Sequence, residues 1–276
     1  MLTRLLSALV LIPCVLGIVW FDPGDVSVTA LLCVISVGLV WEYVGLARAA
    51  GVRLGSGSRL VMCLAAALWT AAPKLSARVS GVAWLDGAVL VLLACASLIP
   101  VVFGDGGLDG AFARAGSVVL GAILCAWCLT RHLEALHMDY GPGGILLLLV
   151  PIWACDSGAY FVGRAIGKHP LAPVVSPKKT WEGSVGGFVG SIVAAVLVGR
   201  WALDLPILTG LGVGAIIGVL GQFGDLAESA LKRSAGVKDS GRLIPGHGGL
   251  LDRLDSLTFA APALYYYLLL GPTPPM

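Results

Sequence analysis

The sequence predicts an all-α polytopic integral membrane protein, and three observations lead to this fold class. Hydrophobic residues make up 58% of the 276 residues and charged residues only 12%, whereas a soluble domain is typically about 45–50% apolar and about 25% charged. The mean hydropathy is +0.93. The apolar residues gather in long runs, and lysine and arginine gather in alternate connections between those runs. The chain is therefore composed for a lipid bilayer.

Nine apolar runs approach the length of about 20 residues that a membrane-spanning helix needs. They lie at roughly 5–21, 26–47, 59–73, 82–103, 114–130, 143–163, 184–202, 206–224 and 250–270. The third run is the shortest. The first is expected to be a retained helix, because no small-x-small cleavage site follows it. We expect one integral membrane domain, with a transmembrane scaffold in residues 1–140 and the polar connections in residues 141–276.

Lysine and arginine are distributed unequally when the connections are assigned alternately to the two sides of the membrane. Fourteen of the 18 fall on the N-terminal side and four on the other. By the positive-inside rule the N-terminal side is cytoplasmic, which places the C-terminus outside. Two polar connections, 164–183 and 225–249, fall on the cytoplasmic side and carry eight of the 14. Part of the excess of lysine and arginine can therefore reflect the function of these two loops rather than the orientation of the helices.

The predicted seventh and eighth helices are rich in glycine at a spacing that lets helix backbones approach closely in lipid. Gly186 and Gly190 are four residues apart, and Gly210, Gly214 and Gly218 repeat the spacing. Tight helix packing is the simplest interpretation of these glycines.

One carboxylate lies well inside an apolar run, GILLLLVPIWACDSGAYFVG. Asp156 would cost at least about 2.5 kcal/mol in the hydrocarbon region, and such residues usually face a polar cavity and mark function. We therefore expect Asp156 to belong to a functional site. A structural hydrogen bond to a neighbouring helix is the alternative.

Two further pairs of carboxylates lie at predicted cytoplasmic helix ends. Asp225 and Glu228 are three residues apart, as are Asp252 and Asp255, so each pair shares a helix face. Carboxylates without clustered cysteine or histidine suit a hard cation such as Mg²⁺. Around these carboxylates lie Lys232, Arg233, Lys238, Arg242 and Arg253, with Lys178 and Lys179 in the other polar connection. Acidic pairs beside a ring of basic residues indicate a metal that bridges phosphate oxygens, and ordinary surface ion pairs are the alternative.

The segment PGHGG, residues 245–249, directly precedes the last predicted helix. Its glycines allow backbone N–H groups to approach an anion at a helix N-terminus. His247 can donate a hydrogen bond to a phosphate or brace the loop, and we do not assign it as a base.

These residues resemble the phosphatidate cytidylyltransferases, or CDP-diacylglycerol synthases. The run SALKRSAGVKDSGRLIPGHGGLLDRLD, from Ser229 to Asp255, is similar to that family's signature at every fixed position. The upstream segment CDSGAYFVGRAIGKHPLAPVVSPKKTWEGSVGG is similar to the other block that the family shares. The resemblance covers about residues 151–256, whereas the first 140 residues match only in being membrane helices.

The resemblance implies an enzyme that transfers the cytidylyl group of CTP to phosphatidic acid and releases pyrophosphate. It implies Mg²⁺ on Asp225 and Asp252, with room for a second cation. The implied catalytic residues are Asp225, Lys232, Arg233, Lys238, Asp239, Asp252, Arg253 and Asp255. The implied substrate-binding residues are Asp156, Ser176, Lys178, Lys179, Thr180, Glu182, Ser229, Arg242, His247, Gly248 and Gly249. Residues 141–276 would then form the catalytic region, with the active site in its polar cytoplasmic loops.

The expected partners are CTP, phosphatidic acid and membrane lipid, with a homodimer as a further option and no nucleic acid. The expected location is the bacterial cell (inner) membrane. Two other functions stay open: a CTP-dependent polyprenol or phytol kinase, which should need a general base, and a secondary transporter, which usually shows a repeated architecture that this sequence lacks. A CDP-alcohol phosphotransferase is disfavoured, because its DGxxAR…GxxxDxxxD pattern is absent.

Overall fold

The computed structural model describes residues 13–15, 17–21, 26–79, 84–103, 108–241, 243 and 248–271, and the regular structure there is almost entirely helical. The helices are α1 (Ser27–Ala49), α2 (Ser56–Arg78), α3 (Leu85–Val102), α4 (Ala111–Ala122), α5 (His132–Ile166), α6 (Trp181–Leu203), α7 (Ile207–Ser234) and α8 (Leu251–Leu270). A π-helical segment, Ile123–Arg131, joins α4 to α5. The predicted all-α polytopic class is confirmed.

Within the described residues, five helical stretches are long and apolar enough to cross a membrane, and the longest is Ala111–Ile166. This stretch contains two predicted runs, 114–130 and 143–163, and Gly141 interrupts it with a non-helical backbone (φ 58°, ψ −157°). The short third run lies in the 23-residue helix α2. About half of the first run falls outside the described residues, and its described residues, 13–15 and 17–21, are helical. The count of nine helices stays a prediction.

Both predicted polar connections contain regular structure: a helical start of 225–249 agrees with the shared helix face predicted for Asp225 and Glu228, whereas the hairpin in 164–183 was not predicted. Helix α7 continues ten residues beyond the predicted end at 224 and finishes at Ser234. The first part of the predicted loop 225–249 is therefore helical. The connection 164–183 contains an antiparallel hairpin of β1 (Pro170–Ala172) and β2 (Ser176–Thr180), with Ala172 opposite Ser176.

The chain divides into two compact units. The first unit comprises the described residues of Met1–Ala135 and Ser234–Arg253, and the second comprises those of Leu136–Arg233 and Leu254–Met276. The division differs from the predicted regions 1–140 and 141–276, because Ser234–Arg253 groups with the N-terminal helices. Much of the family-like signature thus packs on the part of the chain that the sequence presents as plain scaffold.

The first unit has an apolar core that also contains ion pairs. Gly121 lies so close to the Tyr43 ring and the Met62 methyl group that a side chain would not fit. The fully buried Glu134 pairs with Lys74 at 3.4 Å. Charged groups in apolar surroundings are costly unless they are paired. The first unit is therefore held by close side-chain packing and a buried ion pair as well as by its apolar helices.

The second unit is held together by close approaches of helix backbones at glycine. A Cβ atom at Gly187 of α6 would lie 2.7 Å from the Cys155 carbonyl oxygen of α5, and one at Gly190 would lie 2.8 Å from the Ala154 carbonyl oxygen. A Cβ atom at Gly210 of α7 would lie 2.9 Å from the Val196 Cα of α6. Only glycine tolerates such distances, so the predicted tight packing is confirmed.

Candidate active site

An acidic cluster with two lysines occupies the second unit. Asp156 on α5, Asp225 on α7 and Asp255 on α8 lie near enough to interact electrostatically. Glu228 lies within hydrogen-bonding reach of Asp255, and Asp225 acts electrostatically on Asp255. Like charges at this spacing repel one another. The cluster therefore needs cations, and the chain supplies part of the compensation.

The hairpin brings one of the compensating cations. Lys179 Nζ lies 2.5 Å from Asp225 Oδ2, and the side chains of Lys179 and Asp225 are 28% and 31% exposed. The adjacent Lys178 is exposed. Neighbouring residues of a strand point to opposite faces, so the strand β2 presents only one of its two lysines to Asp225.

The second compensating cation comes from α7 itself. Lys232 Nζ lies 3.3 Å from Glu228 Oε1, and these side chains are only 11% and 5% exposed. One turn closer to the start of the helix, the Ser229 hydroxyl donates to Asp225 Oδ1 at 3.3 Å. Residues four apart lie on one helix face. The helical geometry of 225–233 therefore places these side chains together.

Glycine also sets the distance between the two acidic helix ends. A Cβ atom at Gly224 of α7 would lie 2.5 Å from the Asp255 carbonyl oxygen of α8. The Asp255 carboxylate accepts hydrogen bonds from the Ser256 backbone N–H at 2.6 Å and from its hydroxyl at 3.2 Å. Close backbone contact at Gly224 thus brings Asp225 and Glu228 to the neighbourhood of Asp255.

The start of α6 fixes the end of the hairpin. The Thr180 hydroxyl accepts from the Gly183 N–H at 3.2 Å, which makes Thr180 the N-cap of α6. Glu182 accepts from the backbone N–H of Lys168 at 3.1 Å and pairs with His169 Nδ1 at 2.6 Å. Thr180 and Glu182 were predicted to bind substrate. In the structure their contacts fix the end of the hairpin and so the position of Lys179. Their binding role stays a prediction.

Two further predicted residues lie around the hairpin. Arg233 is exposed at the end of α7, and its Nε donates to the Val175 carbonyl oxygen in the hairpin turn at 3.3 Å. Ser176, the first residue of β2, is half-buried. Arg233 thus ties the hairpin to the helix that carries Asp225.

A second group of predicted residues belongs to the first unit and surrounds Asp252. Its Oδ2 accepts from the Ser240 N–H at 2.9 Å, the Ser240 hydroxyl at 3.0 Å and the Gly249 N–H at 2.9 Å. Gly248 has a left-handed backbone (φ +86°), and a Cβ atom there would lie 3.1 Å from Asp252 Oδ2. Asp252 therefore braces the loop before α8, and the Gly249 N–H points to this carboxylate.

The remaining predicted residues divide into exposed ones and ones outside the described residues. Lys238, Asp239 and Arg253 are exposed in the first unit. Arg242 and His247 lie outside the described residues. The structure therefore brings Asp156, Lys179 and Asp225 together with Glu228, Lys232 and Asp255. Asp225 and Asp252 belong to different units, and their shared metal role stays a prediction.

Sequence reasoning missed Glu42, Ser240 and His169. Glu42 is 4% exposed in α1, and it accepts hydrogen bonds from Ser240 and from the Leu251 backbone. The criterion that singled out Asp156, a carboxylate within an apolar run, applies equally to Glu42 in the run 26–47. For His169 and Ser240 the local sequence holds no comparable indication, because their partners lie 13 and 198 residues away.

The donor set of the acidic cluster fits Mg²⁺. Its ligand atoms are carboxylate oxygens, which this hard cation prefers. No group of three or more His, Cys, Asp or Glu side chains encloses a potential metal position in the part of the chain that the structure describes. Mg²⁺ usually takes only one or two protein carboxylates and completes its shell with water and phosphate, so Asp225 with one neighbouring carboxylate would meet this requirement.

The fold and the site define a membrane-embedded protein with a clustered acidic and basic centre. The model of the cytidylyltransferase family matches residues 2–270. The chain is 44% identical over 185 residues to a phosphatidate cytidylyltransferase of Bacillus subtilis, covering 66% of each chain. It is 49% identical over 139 residues to one of Synechocystis (49% of this chain, 47% of the relative), and 46% identical over 140 residues to one of Haemophilus influenzae (48% and 49%).

This chain belongs to the cytidylyltransferase family, and it is an integral membrane protein. The aligned regions span about half to two thirds of the length of these relatives.

Proposed function

We propose that this protein transfers the cytidylyl group of CTP to phosphatidic acid, giving CDP-diacylglycerol and pyrophosphate for phospholipid synthesis. One observation carries the proposal: four carboxylates, Asp156, Asp225, Glu228 and Asp255, lie together with Lys179 and Lys232 in one unit of the protein. The family match and the names of the three relatives support the same reaction.

The reaction forms one P–O bond and breaks another. A phosphate oxygen of phosphatidic acid attacks the α-phosphorus of CTP, and the bond from that phosphorus to the β-phosphate bridging oxygen breaks. Its electron pair leaves with pyrophosphate. The phosphate monoester has a second pKa of about 6 and is largely dianionic near neutral pH. The attacking oxygen therefore needs no general base, and alignment with charge neutralisation is the remaining work of the protein.

The lysines and carboxylates have complementary tasks in this reaction. Lys179 lies against Asp225, from which its ammonium group can donate to a nucleotide phosphate. Lys232 is held by Glu228 in a largely buried pair, so its charge is fixed in place before substrate binds. Preorganised charge of this kind stabilises the charge that develops on the leaving pyrophosphate.

Asp225 is the residue we propose as the principal Mg²⁺ ligand, assisted by Asp156 or Asp255 of the same cluster. When bound, Mg²⁺ would neutralise phosphate charge and hold the polyphosphate chain in line. The sequence-based pairing of Asp225 with Asp252, and a second cation, stay predictions. Asp225 is 31% exposed, which leaves its carboxylate accessible to a metal that arrives with the nucleotide.

We place this site on the cytoplasmic side of the bacterial inner membrane. The support is the excess of lysine and arginine on one side of the predicted spans, 14 against four. CTP is a cytoplasmic solute and phosphatidic acid a membrane lipid, so the site has to lie where a helix end meets the head groups. A homodimer stays a prediction.

The proposal is tested by incubating the purified protein with CTP, Mg²⁺ and phosphatidic acid in mixed micelles and identifying the products by mass spectrometry. We expect CDP-diacylglycerol and pyrophosphate in equal amounts. Parallel reactions with diacylglycerol or a polyprenol as acceptor should give no product. Formation of CDP and a phosphorylated lipid alcohol would establish the kinase alternative and overturn the proposal.

A further inference from the structure

Glu42 of α1 connects the N-terminal helices to the loop between α7 and α8, residues 235–250, which belongs to the family-like signature. It is 4% exposed, and its Oε2 accepts from the Leu251 backbone N–H at 2.9 Å and shares the single proton of the Ser240 hydroxyl, 3.2 Å away, with Asp252. The two donors are about 200 residues away along the chain and lie on either side of residues 241–250. One carboxylate thus holds both ends of this segment.

Two described glycines of the loop, Gly241 and Gly249, lie so close to this carboxylate that neither has room for a side chain. A Cβ atom at Gly249 would lie 2.5 Å from Glu42 Oε2 and 2.8 Å from the Gly241 backbone nitrogen. A Cβ atom at Gly241 would lie 2.6 Å from the Glu42 carboxyl carbon. Two glycines of the loop therefore pack directly on the Glu42 carboxylate, and the contact between α1 and the loop is a buried one.

The Ser240 hydroxyl lies between Glu42 and Asp252. It contacts Glu42 Oε2 at 3.2 Å and Asp252 Oδ2 at 3.0 Å, and the same Asp252 oxygen accepts the Ser240 N–H at 2.9 Å. Ser240 therefore supplies two of the hydrogen bonds that hold the Asp252 carboxylate, beside the one from the Gly249 N–H. A change in the position of Glu42 would therefore alter the position of Asp252 through Ser240.

We propose that Glu42 is a positioning residue that holds Asp252 in its working orientation through Ser240 and the Leu251 N–H. The inference rests on the proposed function, and on the sequence-based prediction that Asp252 takes part in cytidylyl transfer. It adds a residue from the N-terminal part of the chain, outside the region of the family-like motifs. Glu42 acts through the loop and touches no reacting atom.

A double-mutant cycle on turnover tests the connection. Glu42→Ala should lower kcat by roughly 10²-fold, because a misplacement of about 1 Å can have that effect. Ser240→Ala should lower kcat by about 10-fold, since the Ser240 N–H still holds Asp252. The double variant should lose about 10²-fold rather than the roughly 10³-fold that independent losses give. Multiplicative losses would overturn the connection through Ser240.

Two conservative variants separate positioning from general folding. Glu42→Gln keeps an oxygen acceptor for Leu251 and Ser240 and should retain kcat within about 10-fold of the wild type. If Glu42→Gln is as impaired as Glu42→Ala, the acceptor geometry is not what matters and the proposal fails. Should Glu42→Ala not fold, Glu42→Asp takes its place in the cycle, because its carboxylate is one methylene shorter and cannot reach both donors.

Amide hydrogen exchange gives a second readout that does not depend on activity. In Glu42→Ala the N–H groups of Ser240, Gly249 and Leu251 should exchange at least about 10-fold faster. The control is Ser36→Ala on the same helix: Ser36 is buried, but its hydroxyl bonds only the Cys33 carbonyl oxygen at 2.9 Å among the contacts described. Unchanged exchange in Glu42→Ala would overturn the inference. A wild-type protein that makes no CDP-diacylglycerol would instead overturn the proposed function, and exchange would still decide the positioning.

Discussion

Replacement of Lys179 by alanine should lower the activity with CTP much more than it lowers the stability of the fold. Lys179 Nζ lies 2.5 Å from Asp225 Oδ2, with both side chains about 30% exposed. A partly exposed pair of this kind contributes at most about 1 kcal/mol to folding. A hydrogen bond from an ammonium group to a phosphate is worth about 1.5–3 kcal/mol. At about 1.4 kcal/mol per factor of ten, kcat/KM for CTP should fall roughly 10- to 150-fold.

The adjacent lysine provides the matched comparison. Lys178 is exposed on the same strand, so Lys178→Ala removes the same charge from the same hairpin without touching the Asp225 contact. A screened, exposed charge is worth about 1 kcal/mol or less, and kcat/KM for CTP should fall less than about fivefold. The two variants are assayed at saturating phosphatidic acid, with the melting temperature in detergent as a folding check.

Equal loss of kcat/KM for CTP in the two variants would contradict a specific role for Lys179. Equal loss means that the hairpin contributes only diffuse positive charge and that the Lys179–Asp225 contact has no special part in CTP use. An unchanged kcat/KM in Lys179→Ala would remove the hairpin from the site altogether.

Three further predictions concern the metal ligand, the helix packing and the orientation in the membrane. Asp225→Asn should abolish most turnover at low Mg²⁺ while the protein still inserts and folds, because it removes the charge that offsets the metal; near-full turnover in a Mg²⁺ titration would contradict the assignment. Gly187→Ala should destabilise the protein by roughly 1–3 kcal/mol through overpacking, whereas Gly116→Ala, with open space around it, should be neutral or stabilising in thermal unfolding. In a cysteine-free background of intact cells, a membrane-impermeant thiol reagent should label a cysteine at Asp204 but not one at Lys178, and the opposite pattern would reverse the predicted orientation.

Hydropathy was sufficient for the helices because it reports the average environment of a segment of about 20 residues. It placed α6 and α8 to within a few residues, since their apolar runs end where the helices end. It failed at α7, where the helix continues to Ser234 through charged residues. There the side chains of Lys232 and Glu228 form an i,i+4 pair, and such pairs sustain a helix after its apolar run has ended.

The candidate site was only partly predictable for a different reason. Spacing along a helix placed Asp225 and Glu228 on one face, but tertiary contacts determine which other residues meet them. Glu42 and Ser240 are 198 residues apart, and no local pattern connects them. The alternation of β2, which turns Lys179 toward Asp225 and leaves Lys178 exposed, depends on a hairpin that a polar, proline-containing connection did not reveal.

Cytidylyl transfer breaks the bond between the α- and β-phosphates of CTP, and positional labelling of CTP shows which bond is broken. The purified protein is given phosphatidic acid, Mg²⁺ and CTP that carries radioactive phosphorus at either the α or the γ position. The account predicts that the α label enters the lipid and that the γ label is recovered as pyrophosphate. Label from the γ position in the lipid, with the α label in free CDP, would contradict it.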